Sequence, residues 1–208
     1  EYIPYGTDRR VVTAQRGEAK YTLAVIYACW CLTQDFNANV LIVTDGDRQA
    51  KENSKLLITL IMRWDLLDYM RPDPASGDRT SVEAFDINHE LRTLHTVGDK
   101  SPSVSCMTIF GQLTGSRATI LIADDIETAK RARSRGDREA IYDLSKEFTS
   151  ICKTGNILIL GTPHTRESLY TRLPSRGYDV RVWTGRIPSP VQEERVGGRL
   201  APYIRKLI

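Results

Sequence analysis

The chain has 208 residues, 41% of them hydrophobic and 26% charged, with a formal net charge of +3. That length suits one well-buried domain, and no run approaches the roughly 20 apolar residues of a membrane span, so a single cytosolic domain is expected. A charge of +3 does not signal a polyanion partner by its sum, but Lys130, Arg131, Arg133, Arg135 and Arg138 cluster in one short stretch, which does.

Cys29, Cys31, Cys106 and Cys152 show no paired C-x-x-C spacing and read as reduced structural thiols, not zinc ligands. The chain opens at Glu1 with no signal peptide, and is expected to be a piece of something longer. Short runs rich in Val, Ile and Leu alternate with longer helical patterns, the signature of buried parallel strands joined by helical crossovers.

The first strand, Val11–Thr13, runs into Ala14-Gln15-Arg16-Gly17-Glu18-Ala19-Lys20-Tyr21-Thr22, and a helix follows over about Lys20–Thr33 with Leu23, Ile26, Tyr27 and Trp30 as its core stripe. Strand, tight loop, lysine and helix is the setting of a phosphate cradle. Backbone N–H groups and the helix N-terminus face the anion while the lysine neutralises it. The spacing follows G-x-x-x-x-G-K-S/T with Ala14 and Ala19 at the glycine positions. Tyr21 stands where a Ser or Thr hydroxyl would reach Mg²⁺; a phenol is too long for that, and Thr22 lies about 100° further round the helix.

A strand over Asn39–Thr44 precedes a helix from about Arg48 to Met70, with Leu56, Leu57, Leu60, Ile61 and Trp64 on one stripe and Pro72 and Pro74 beyond its end. Arg71–Ser81 and His95–Pro102 read as surface loops, around strands at Val82–Ile87 and Ser103–Phe110. The strand Thr119–Ala123 ends in Asp124 and Asp125. Acids at the carboxyl end of a central strand sit where open α/β sheets bind ligands, one suited to a hydrated Mg²⁺ and the next to polarising water, with Glu127 as an alternative base. A strand-to-helix turn with capping acids is the other reading.

A third helix over about Arg138–Cys152 presents Ile141, Leu144, Phe148 and Ile151. The strand Asn156–Leu160 ends in Gly161-Thr162-Pro163-His164. A hydroxyl at such a tip can sense a γ-phosphate, although Gly-Thr-Pro also serves as a plain turn. A strand over Asp179–Thr184, a break at Gly185–Pro190 and a short helix over about Val191–Leu207 complete the chain.

The cradle, then Gly111-Gln112-Leu113-Thr114-Gly115-Ser116-Arg117 ahead of Ile120-Leu121-Ile122-Ala123-Asp124-Asp125, then Leu160-Gly161-Thr162-Pro163, resembles the terminase large subunits of T7-like podophages. The similarity runs from about Tyr2 to Arg199-Leu200-Ala201-Pro202. It implies an α/β, three-layer P-loop NTPase fold of the RecA-like, additional-strand type, with a central, mostly parallel sheet flanked by helices. It also implies an ATPase domain over 1–184, with 185–208 as a linker toward an absent nuclease domain.

The implied activity is ATP hydrolysis that drives double-stranded DNA into a procapsid in the host cytoplasm. The implied partners are a portal protein, a small terminase subunit and further copies in a ring. ATP would lie on residues 14–22, with Lys20 on its phosphates, Asp124 organising Mg²⁺, Asp125 as catalytic carboxylate, Arg16 as an arginine switch and Thr162 coupling hydrolysis to movement. Arg117, Arg131, Arg133 and Arg135 are candidates for an arginine acting on a neighbour's site. The family usually has Ser or Thr at Tyr21 and commonly Glu at Asp125. Another P-loop translocase or helicase, and a DNA-binding assembly module whose nucleotide site has decayed, are the alternatives; a nuclease on Asp124, Asp125 and Glu127 would leave the Lys20 loop and Thr162 unexplained.

Overall fold

In the computed structural model, which describes residues 7–15, 17–92, 101–184 and 189–196, seven strands form one sheet. They are β1 (Arg9–Ala14), β2 (Val40–Thr44), β3 (Ala84–Phe85), β4 (Val104–Thr108), β5 (Ile120–Asp124), β6 (Asn156–Gly161) and β7 (Asp179–Trp183). The order is β3-β4-β2-β5-β6-β1-β7, parallel throughout except for β3 on β4. The helices are α1 (Lys20–Gln34), α2 (Asp47–Arg63), α3 (Arg135–Leu144), α4 (Phe148–Ile151), α5 (Leu169–Arg172) and α6 (Pro190–Val196).

Every residue of β2 and β5 is buried, as expected of parallel strands covered on both faces. Because side chains alternate, Val12, Ile42, Ile122 and Leu158 pack under α1 and α2, while Val11, Leu41, Leu121 and Ile157 pack under α3, α4 and α5. Three layers result. The register pairs Thr44 with Asp124, Asp124 with Leu160, and Leu160 with Val12, so the carboxyl ends of four strands line up along one rim. The strand ending in the acids does not touch the strand leading into the lysine loop, because β6 is inserted between them.

Several elements differ from the sequence expectation. Leu23, Ile26 and Trp30 of α1 are 52%, 52% and 42% exposed; the buried face is Ala24, Val25, Ala28 and Leu32, with Tyr27 and Cys29 beside it. Ala24 and Ala28 let α1 lie close against the sheet, and the larger side chains project away. The long second helix stops at Trp64, whose extended backbone redirects the chain into a 3₁₀ turn, Asp65–Met70, that buries Leu67 and Met70 and leaves Trp64 exposed.

The third helix starts earlier than expected, where the Ser134 hydroxyl accepts a hydrogen bond from Asp137 N–H, and a 3₁₀ turn over Ser145–Glu147 separates α3 from α4. Strand β3 keeps two residues of the six expected. The loop Arg71–Ser81 is pinned from below: buried Asp86 pairs with Arg79 at 2.6 Å and with Arg92 at 3.2 Å. Most of His95–Pro102, Gly185–Pro188 and the chain after Val196 lie outside the described residues.

Where β5 and β6 begin, Gly155 passes so close to Thr119 that a Cβ would lie 1.9 Å from the Thr119 carbonyl oxygen. Gly155→Ala is expected to destabilise the domain by about 1–3 kcal/mol, since backbone must move to admit the methyl group. Chemical denaturation that finds the variant as stable as the parent would contradict this packing.

Candidate active site

The loop after β1 turns at Gly17 (φ 88°) and Ala19 (φ 51°), both in the left-handed region. For Ala19, which has a Cβ, that geometry costs about 1–2 kcal/mol, a strain tolerated where it shapes a site. Lys20 then opens α1. Its Nζ donates to the carbonyls of Ala14 (3.0 Å) and Gln15 (2.9 Å) and to Thr162 Oγ1 (3.3 Å), while Thr162 Oγ1 donates to Ala14 O at 2.8 Å. The lysine, the loop and the tip of β6 are thus one hydrogen-bonded unit. Arg16 lies outside the described residues.

Across the rim, β5 ends at Asp124, which is buried, and Asp125 follows with a left-handed backbone (φ 43°), its N–H donating to Leu160 O at 3.0 Å. Burial first, and then the neighbouring Asp125, push Asp124 up to about 6; a hydrogen bond from Asn53 and the charge of Lys20 oppose the rise. Asn53 Nδ2 donates to Asp124 Oδ2 at 3.0 Å. Lys20, Tyr21, Asp124 and Asp125 line one cleft of about 840 Å³, together with Asp45, Gln49 and His164. Two adjacent acids, the first of them buried, suit a divalent cation, and Mg²⁺ characteristically takes one or two carboxylates with the rest of its shell from phosphate and water.

Glu127, Tyr21 and Thr22 do something different. Glu127 is fully buried on the wall of the same cleft: Oε1 accepts from Ser168 Oγ at 2.5 Å and Oε2 from Leu169 N–H at 2.8 Å, so it caps α5. Both oxygens thus take part in holding α5. The Tyr21 phenol crosses to α2 and donates to the backbone carbonyl of Asn53. Burial, then Asp124, raise its pKa far above the usual value, so it stays a neutral donor. Thr22 is exposed on α1 and does not line the cleft.

Arg131 is committed within the chain, its Nε paired with Asp45 and its guanidinium 4.1 Å above the Phe110 ring. Thr128 Oγ1 donates to the other Asp45 oxygen at 3.1 Å, so the basic segment is anchored to the end of β2. Arg117, Arg133 and Arg135 are exposed. Asn53 and Asp45 were not singled out from the sequence. For Asn53 a signal existed: it falls four residues before Leu57 and eight before Ile61, on the buried stripe of α2, where a polar side chain needs a partner. Asp45 carried no such signal, because an acid beside a glycine at a strand end reads as a turn.

A mostly parallel sheet with a strand inserted between lysine loop and acidic strand, and with both motifs opening into one cleft, defines a P-loop NTPase domain of the additional-strand type. The chain is 36% identical over 201 residues to the terminase large subunit of Enterobacteria phage T3, a match covering 94% of this chain and 33% of that protein. The chain is similar to this terminase large subunit over nearly all of its own length, and it spans about a third of the length of that relative. Among solved structures, an arginine-to-alanine mutant of the Thermus phage P74-26 large terminase ATPase domain superposes with a TM-score of 0.49 at 17% identity, covering 81% of this chain and 65% of that one. The same domain without the mutation gives 0.48 at 17%, covering 79% and 63%. No protein-family model matches the chain.

Because the folded chain holds the Asp124 proton up to about pH 6 and the unfolded chain loses it near 3.8, the stability tied to that proton is present at low pH and lost as pH rises through about 6. Asp124→Asn is therefore expected to stabilise the nucleotide-free domain at pH 7, by up to about 3 kcal/mol, and much less near pH 4. Thermal melts of both proteins from pH 4 to 7 read the difference; a constant gap across that range would refute the assignment. Glu127→Ala should cost about 1–3 kcal/mol through the unpaired Ser168 and Leu169 donors, read as a lowered melting temperature.

Proposed function

We propose that this domain hydrolyses ATP and that hydrolysis drives double-stranded DNA into a procapsid in the host cytoplasm, as the motor part of a terminase large subunit. The observation that carries the reading is the contact of Lys20 with both its own loop and Thr162, in a cleft shared with Asp124 and Asp125. Residues 14–22 hold the phosphates, with Lys20 neutralising them. Asp124 and the phosphates would hold Mg²⁺, which supplies charge neutralisation at the transferring phosphoryl group. Asp125, left beside it on the cleft wall, orients and polarises the attacking water.

Incoming phosphate competes with Ala14 O, Gln15 O and Thr162 Oγ1 for the Lys20 ammonium. Loss of the lysine contact frees the tip of β6, and this transmits nucleotide occupancy to the sheet. Arg16 acts on the γ-phosphate in the same reading. Because Arg131 is held by Asp45, the arginine that completes a neighbour's site is Arg117, Arg133 or Arg135, and copies assemble as a ring on the portal, with the small terminase subunit as a further partner. The exposed basic residues of the 130–138 segment meet DNA phosphates, contacts that are independent of sequence and weaken steeply with salt. The proposal extends to a nuclease domain elsewhere in the whole protein.

The test is ATP turnover with Mg²⁺ across a protein concentration series, with Lys20→Ala and Asp125→Ala alongside. Turnover that climbs more than linearly with concentration and drops at least a hundredfold in both variants is the expected result. Absence of both turnover and nucleotide binding at every concentration would overturn it in favour of a DNA-binding assembly module.

A further inference from the structure

Tyr21 occupies the helix position where the lysine-loop motif carries a small hydroxyl, yet its phenol reaches α2 and donates to the backbone carbonyl of Asn53. Asn53 is 2% exposed and is tied on three sides. Its Nδ2 donates to Asp124 Oδ2 at 3.0 Å, its Oδ1 accepts from Gln49 Nε2 at 2.7 Å, and its backbone carbonyl accepts from Tyr21 Oη. An ionised Asp124 carboxylate only accepts, so the Asn53 NH₂ faces it and the Asn53 oxygen is left for the Gln49 NH₂. The Tyr21 bond joins α2 to the first turn of α1, next to Lys20.

The geometry points to Asn53 and Tyr21 as positioning residues for the cation-binding carboxylate: they hold one Asp124 oxygen against α2, leave the other for the cleft, and take over the orienting role of the missing Ser/Thr hydroxyl. This rests on the Mg²⁺–ATP reading above. It goes beyond that reading in treating Tyr21 as part of a working substitute and not as a decayed motif, and in assigning α2 a part in cation binding. Outer partners that orient a ligating group characteristically contribute 10–100-fold in metal affinity.

The test is the Mg²⁺ dependence of binding of a fluorescent ADP analogue to the purified chain, with Mn²⁺ as a paramagnetic probe of the cation in the ADP complex. Tyr21→Phe keeps the ring and removes only the hydroxyl; Asn53→Ala removes the amide. The expected result is a Mg²⁺ half-saturation raised several-fold in Tyr21→Phe and at least tenfold in Asn53→Ala, with ADP binding in excess EDTA unchanged in both. Tyr21→Phe preserves the packing, so a misfolded Asn53→Ala would still leave one interpretable variant. Wild-type and Tyr21→Phe curves that superimpose overturn the inference alone. A wild-type chain that binds no nucleotide with or without Mg²⁺ overturns the ATPase reading and this inference with it.

Discussion

Two carboxylates side by side at the end of a strand buried on both faces set the terms for everything around them. A charge is costly to bury, and two of the same sign are costlier, so Asp124 sits at the last position of β5, where the sheet's rim opens. Its surroundings compensate it: Asn53 from α2, the ammonium of Lys20 from α1, and a cleft that admits a cation. The third acid of the segment, Glu127, is compensated differently, by the Ser168 hydroxyl and the N–H of Leu169, and so caps α5.

The inserted strand gives the site its second property. With β6 between β1 and β5, its tip is adjacent both to the lysine loop and to the acids: Thr162 bonds Ala14 O and Lys20, and Leu160 O receives the N–H of Asp125. The lysine loop is thus joined to β6 through one side chain, and β6 to the acidic turn through one backbone bond. Ala19 and Asp125, non-glycine residues in left-handed backbone, both line the cleft. Strained backbone of this kind persists where the surrounding structure fixes it, and it clusters at functional sites.

Much of the fold was readable from residue order. Runs such as Val40–Thr44 and Ile120–Asp124, apolar up to their last residue, read as strands covered on both faces, and the Lys20 loop and acidic pair declared themselves by chemistry and by their place at strand ends. What misled was a helix apolar on most of its surface. In α1 the large residues Leu23, Ile26 and Trp30 seemed the natural core face, yet close approach to the sheet selected Ala24 and Ala28, because packing distance and not hydrophobicity decides which stripe turns inward. The break at Trp64 was equally hidden, since the 3.6-residue pattern continues through it and only the burial of Leu67 and Met70 requires the turn.

The roles of single side chains divide along the same line. Sequence by itself determined the class of fold, the lysine loop and the paired acids, because these depend on local pattern: period, strand ends and the spacing of a short motif. The tertiary structure alone decided that Glu127 caps a helix, that Arg131 is held by Asp45, that Tyr21 reaches α2 and that Asn53 supports Asp124. Each of those depends on a partner 30 to 90 residues away, reached through the order of strands in the sheet. Nothing in local spacing encodes such a meeting; it is produced when hydrophobic burial of both sheet faces brings distant strand ends to a common rim.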